Sequence, residues 1–241
     1  MKRVLIGALL SALALTGCSV SVARGNERLA NTDGCKGYVG VTVDDGPTTD
    51  TWVLLKTLQE HHDTATFFNV GAKAKAFPDT VRSEASVGQV ANHTYSHPFL
   101  DQLTDDQVFK ELLGTNQIIA SLTGTAPVLF RPPFDRVNTS TEGIVHSLGM
   151  TTVLWNVDSG DYAGKGIVRS FAALKAGDII LIHDGIERTR TELPEALNQL
   201  KAHKLCTGKI VASTTPHFAW HTQKFGDITF NAAVVPTPAK G

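Results

Sequence analysis

Seven short apolar runs alternate with stretches of helical periodicity, and this alternation limits the fold more than any other feature. The runs span residues 38–43, 65–70, 88–92, 128–130, 151–157, 178–182 and 209–212. Between them the pattern predicts helices over 50–61, 77–86, 104–122, 139–148 and 192–203. The segment 104–122 is the clearest, with Thr104 as N-cap, Asp105 and Asp106 after it, and Val108, Leu112, Ile118, Ile119 and Leu122 at helical spacing. Apolar strands alternating with helices imply parallel strands joined by right-handed crossovers. About seven such strands suit an α/β fold of the distorted (β/α) barrel kind, with an open doubly wound sheet as the alternative. The 241 residues suit one domain of that size, or two small ones.

The first residues do not belong to this pattern. Lys2 and Arg3 precede an apolar stretch, 4–15, that is too short to span a bilayer comfortably. It ends in Leu15-Thr16-Gly17-Cys18, the form of a bacterial lipoprotein signal. Residues 1–17 are therefore expected to be removed, with Cys18 as lipid attachment point and 18–34 as a polar tether. Either a lipoprotein signal or a simple secretory one makes the domain an exported one. In that setting Cys35 and Cys206 read as a disulfide rather than a metal or redox site. Cys35 lies just before the first strand and Cys206 just before the last, so both fall at one end if those strands are neighbours. The domain is expected over 35–215, followed by an extension, 216–241, without periodicity. With 22 basic and 23 acidic residues, nothing points to nucleic acid or a polyanionic partner.

The polar residues that could carry chemistry follow directly on the predicted strands. Thr42-Val43-Asp44-Asp45-Gly46-Pro47 ends the first run with two carboxylates and a forced turn. Adjacent strand residues point to opposite faces, so one acid can bind a cation while the other stays free as a base. His93-Thr94-Tyr95-Ser96-His97 sets two imidazoles four apart, where one helical turn would align them, with Pro98 stopping that turn. With the Asp-Asp turn they suggest a two-His, one-carboxylate site that keeps positions open for water and substrate. Arg131, Asp158 and His183 likewise follow strands. In a parallel barrel all these strand ends share one rim, where such folds carry their active sites.

Together these residues resemble the polysaccharide deacetylases of the NodB-homology type, carbohydrate esterase family four. The family's first motif, Thr-Phe-Asp-Asp-Gly-Pro, is matched by Thr42 to Pro47 with Val43 for Phe. The second, His-Ser/Thr-x-x-His, is matched by His93 to His97. Arg131-Pro132-Pro133-Phe134 resembles Arg-x-Pro-Tyr, and Asp158-Ser159-Gly160-Asp161-Tyr162 resembles Asp-Ser-x-Asp-Trp. Leu181-Ile182-His183 matches Leu-x-His. The resemblance runs from about Gly37 to Ala212.

The resemblance implies a hydrolase that removes N- or O-acetyl groups from an acetylated polysaccharide. Asp45, His93 and His97 would hold a divalent metal, zinc first and cobalt or another ion second. Asp44 would be the general base, paired with Arg131, and His183 the general acid, held and tuned by Asp158. A backbone N–H near Phe134 would meet the oxyanion. Leu181 would line the acetyl pocket, and Phe134 and Tyr162 would border the sugar. Asp135 stands where the family often has Gly. The compact chain resembles exported deacetylases of chitin-like oligosaccharides and acetylxylan more than those of peptidoglycan, and a monomer is expected. A competing reading is a surface lipoprotein that binds glycans without catalysis, although a pure binder has no need of base and acid together. A redox or nucleotide-binding protein lacks its phosphate loop or Cys-x-x-Cys.

Overall fold

The computed structural model describes residues 34–213, 218–222, 226–230 and 232–236. The expected signal segment, Cys18 and nearly all of the tether lie outside the described residues. Strands β1 (Gly37–Gly46), β2 (Thr66–Asn69), β3 (Gln89–Asn92), β4 (Leu129–Phe130), β5 (Thr151–Thr152), β6 (Val157–Asp158) and β7 (Ile179–His183) pair in parallel. Their order is β6-β7-β1-β2-β3-β4-β5, so the two ends of the sheet are consecutive in the chain and the barrel is nearly closed. The barrel, and not the doubly wound sheet, is the fold. Helices α1 (Thr51–His61), α2 (Gly71–Ala76), α3 (Pro78–Val87), α4 (Asp105–Thr123), α5 (Thr139–Ser147), α6 (Val168–Ala172) and α7 (Glu187–Ala202) connect the strands.

Period-two alternation explains how the core and the site share the same strands. Val39, Val41 and Val43 of β1, Phe67 of β2, and Ile180 and Ile182 of β7 pack with Leu54, Leu58, Phe171, Leu193 and Leu197 from the helices. Their alternating neighbours Phe68, Leu129 and Ile179 pack with one another and with Ala91 and Val153 inside the barrel. Thr42, Asp44, Leu181, Arg131 and His183 fall on this second parity, so the barrel interior ends in polar groups at the carboxyl rim.

The run 151–157 is not one strand. It breaks between β5 and β6 because its backbone carbonyls are taken by a side chain. Arg131 donates from Nε to the Val153 carbonyl (2.9 Å) and from Nη2 to that of Leu154 (3.1 Å). Two helices missing from the sequence expectation, α2 and α6, are too short to show periodicity. Helix α7 begins earlier than expected, at Glu187, and carries Pro194 inside it.

Helix α4 starts as its sequence indicates, with a reciprocal capping box between Thr104 and Gln107. Strand β8 (Leu205–Ala212) pairs with the amino-terminal end of β1, Tyr38 opposite Cys206. This register brings Cys35 beside Cys206, and the two form a disulfide with Cα atoms 5.8 Å apart. The aperiodic extension also contains strands. β9 (Phe218–Thr222) and β10 (Gly226–Phe230) form an antiparallel pair, and β11 (Ala232–Pro236) adds antiparallel to β8.

Candidate active site

The rim residues gather around a cleft of about 500 Å³ whose lining includes Asp44, Asp45, His93, His97, Phe134, Tyr162, Leu181 and His183. Asp44 and His183 are direct register partners on β1 and β7, which is why they face each other across it. Asp44 is buried, and Arg131 Nη1 donates to its Oδ1 at 2.7 Å and to Thr42 Oγ1 at 2.7 Å. Arg131 is itself wholly buried, its guanidinium 4.1 Å from the centre of the Phe68 ring. Burial pulls the Arg131 pKa down, against the opposing charge and hydrogen bond of Asp44. Five N–H donors in a rigid fork suit such a position, because each buried proton can find an acceptor.

Strand alternation alone would send the Asp45 side chain away from that of Asp44. Instead, β1 shifts register between Asp44 and Gly46, and Asp45 takes a φ of 66°. The irregularity turns Asp45 into the cleft as well. Its Oδ1 lies 3.4 Å from His93 Nε2 and 3.1 Å from His97 Nε2. Burial pushes the Asp45 pKa up, but hydrogen bonds and charge from the two imidazoles outweigh it and hold the carboxyl far below the usual range.

The histidine pair is not on a helix. Residues 93–97 form a loop in which Thr94 (φ 65°) and His97 (φ 60°) are left-handed. Local and tertiary hydrogen bonds together hold that shape. Thr94 N–H donates to Asn92 Oδ1 (2.8 Å), and His97 N–H to Thr94 Oγ1 (3.0 Å). Glu111 of α4 accepts from the N–H groups of Tyr95 and Ser96, both at 2.8 Å. Glu111 carries no sequence signal, since an acid on a helix surface is ordinary. His93 Nδ1 is 2.7 Å from the Arg131 carbonyl, which assigns a proton to Nδ1, so that in the neutral ring the lone pair on Nε2 is the one free to bind a cation beside Asp45.

The ligating atoms of Asp45, His93 and His97 all lie within 4.8 Å of one another. Two imidazole nitrogens and one carboxylate oxygen converging this way fit a divalent cation of zinc type, with positions left open.

The acid that holds His183 is Asp161, not Asp158. Asp161 Oδ1 is 2.8 Å from His183 Nδ1, and its Oδ2 accepts from the His183 backbone N–H (2.7 Å) and Thr189 Oγ1 (2.6 Å). Asp161 is buried, whereas Asp158 is exposed and turns to its own loop. Asp158 Oδ1 accepts from Gly160 N–H (2.8 Å) and its Oδ2 from the Tyr162 hydroxyl (3.1 Å). The signal for Asp161 was present, since it is the second acid of the same five-residue motif. Burial lowers the His183 pKa, but Asp161 by hydrogen bond and charge, aided by Asp44 and Asp45, raises it overall.

Aromatic rings border the cleft on both sides. Phe134 stacks on Phe99 with ring centres 4.1 Å apart and meets His97 edge-on at 4.6 Å. Tyr162 stands edge-on to His183 at 5.4 Å. Trp155, Pro132 and Asp135 also line the cleft and were not anticipated as site residues.

A parallel (β/α) barrel with this acid–imidazole rim defines a class, and comparison with known proteins gives its family. The family model for polysaccharide deacetylase matches residues 31–153. The chain belongs to the polysaccharide deacetylase family. It is 37% identical over 185 residues to a bifunctional xylanase/xylan deacetylase of Cellvibrio japonicus, covering 75% of this chain and 28% of that protein. It is 33% identical over 170 residues to a peptidoglycan-N-acetylglucosamine deacetylase of Listeria monocytogenes, covering 68% of this chain and 36% of that one. The chain thus spans only 28% and 36% of the length of these two curated relatives. The structure of a family 4 carbohydrate esterase from Streptomyces lividans, in complex with acetate, superposes with a TM-score of 0.72 at 35% identity. That match covers 82% of this chain and all of the other.

Proposed function

We propose that residues 35–215 form a metal-dependent deacetylase that hydrolyses N- or O-acetyl groups on chitin, chitooligosaccharides or acetylxylan. The observation that carries this reading is the convergence of Asp45, His93 and His97 between a buried Arg131–Asp44 pair and a carboxylate-held His183. Asp45, His93 and His97 would hold the cation, which when bound supplies Lewis acidity toward water and the acetyl carbonyl. Asp44 takes the proton of the attacking water, its Oδ1 fixed by Arg131. A backbone N–H near Phe134 meets the negative charge that develops on the carbonyl oxygen. His183, protonated more readily because of Asp161, delivers a proton to the departing amine or alcohol. Leu181 packs against the acetyl methyl, while Phe134 and Tyr162 form walls for the sugar rings.

Peptidoglycan N-acetylglucosamine is the second substrate class, favoured by the Listeria relative. The Cys35–Cys206 disulfide supports export, and we propose anchoring through a lipid on Cys18. The test is acetate release from chitooligosaccharides, acetylxylan and peptidoglycan, with chelator and then zinc added back. Release is expected to stop with chelator, return with zinc, and fall by about 10²- to 10⁴-fold in Asp44→Asn. No release from any substrate by protein shown to contain metal would refute the deacetylase reading and leave the glycan-binding one.

A further inference from the structure

The end of β1 presents three consecutive carbonyls that need donors, and each is met by a different element. The Asp44 carbonyl accepts the N–H of Asp184 at 2.9 Å, and that of Gly46 accepts the N–H of Val70 at 2.9 Å. Asp45 lies between them at the register shift, where the extra residue of an irregular strand has no ladder partner. Its carbonyl is met by a side chain, the ammonium of the half-buried Lys73 of α2, at 2.7 Å. The same short helix holds the histidine loop. The N–H groups of Gly71 and Ala72 donate to the carbonyls of Thr94 (2.8 Å) and Tyr95 (2.9 Å), between His93 and His97. Gly71 permits that approach, since a Cβ there would collide with Thr115 and press on Tyr95. Segment 70–73 is therefore bonded to both stretches of chain that supply Asp45, His93 and His97.

We infer that Lys73 is a positioning residue for the cation site, tying the Asp45 turn to the helix that holds the histidine loop. This rests on the reading of Asp45, His93 and His97 as cation ligands. A residue other than glycine at φ 66° stays there only where its surroundings over-determine it. Without the ammonium, the Asp45 turn is free to relax toward ordinary strand alternation, which aims its carboxylate away from the two imidazoles. The positive charge of Lys73 also repels a bound cation. A half-exposed ammonium is screened by water, however, whereas a ligand out of place is lost to the site. Positioning is the larger effect.

The full-length protein, freed of metal and titrated with zinc against a chromophoric chelator, tests this. Lys73→Met should raise the zinc Kd by about 10- to 100-fold. Lys73→Arg, which keeps a charged donor on a long side chain, should recover most of that loss. Lys75→Met, at an exposed position of the same helix, should match the wild type. Urea unfolding of the metal-free variants reports whether each is folded, and Lys73→Ala carries the same expectation should Lys73→Met not fold. An unchanged Kd in the folded variant overturns the inference. A tighter Kd does so too, since charge repulsion would then outweigh positioning. A loss that Lys73→Arg does not recover, or that Lys75→Met reproduces, overturns it also, because the effect would then lie in packing or in the charge of the helix as a whole. In each of these cases zinc binding by the wild type leaves the three-ligand reading intact. No zinc binding by the wild type refutes that reading, and this inference with it.

Discussion

Asp158 and Asp161 share one short loop, yet only Asp161 reaches the His183 imidazole. The difference lies in a 3-10 turn at Asp161–Ala163, entered through Gly160 at φ 69°, which folds the second acid back beneath β7. Three donors besides the imidazole hold that carboxylate, the N–H groups of Tyr162 and His183 and the Thr189 hydroxyl, so its orientation is fixed independently of the imidazole. Removing its charge should lower the His183 pKa, since Asp161 is what raises it. Protonated His183 would then be lost at lower pH. Asp161→Asn is accordingly expected to move the alkaline limb of the pH–kcat profile to lower pH and to cut the rate. Asp158→Asn should leave that limb in place and raise KM through the Tyr162 wall. A pH–rate series on both variants decides between the two acids.

At the scale of elements, the rim depends on polar contacts buried behind it. Asn69, at the carboxyl end of β2, donates to Glu84 of α3, and both are fully buried. The Asn69 backbone carbonyl also accepts the N–H of His93 at 3.0 Å. Burial, with added repulsion from Asp184, raises the Glu84 pKa from 4.5 to about 8, against the hydrogen bond from Asn69. The folded protein therefore binds a proton that the unfolded chain has released above 4.5, and stability falls as pH rises from there toward 8. Glutamine reproduces the neutral acid. Glu84→Gln should match the wild type near pH 5 and exceed it in stability above pH 8, which urea unfolding at the two pH values measures. A steeper pH dependence in the variant would refute this account.

For the whole molecule, one covalent link joins the start of β1 to β8, closing a sequence separation of 171 residues. Chain entropy for a loop of that length gives a stabilisation of about 5 kcal/mol. The double variant Cys35→Ser, Cys206→Ser should unfold at markedly lower denaturant while keeping its activity under native conditions. The disulfide lies at the amino-terminal end of β1 and the reacting groups at its carboxyl end. Loss of activity without loss of stability would show that the two ends of the strand are coupled.

Much of the site was legible because its logic is local. A parallel strand has one direction and a side-chain period of two, so residues directly after apolar runs meet at one rim. That is how Asp44, His93, Arg131 and His183 could be assembled from the sequence without coordinates. The disulfide was legible for a similar reason, since it needs only β1 and β8 to be neighbours. The rest depended on groups far apart in the chain. The turn of Asp45 into the cleft needs the register shift of β1 against β2. The left-handed loop that delivers His97 needs Glu111 of α4, and the break between β5 and β6 needs Arg131. Asp161 reaches His183 only because the loop packs beneath β7. By itself, then, the sequence determined the parallel α/β architecture and the shared rim, through periodicity and strand direction. The role of each rim residue came from the motifs' resemblance to the family, and the choice of barrel over doubly wound sheet came from the fold. Only the tertiary structure decided how each carboxylate is aimed, because long-range hydrogen bonds there override the local backbone preference.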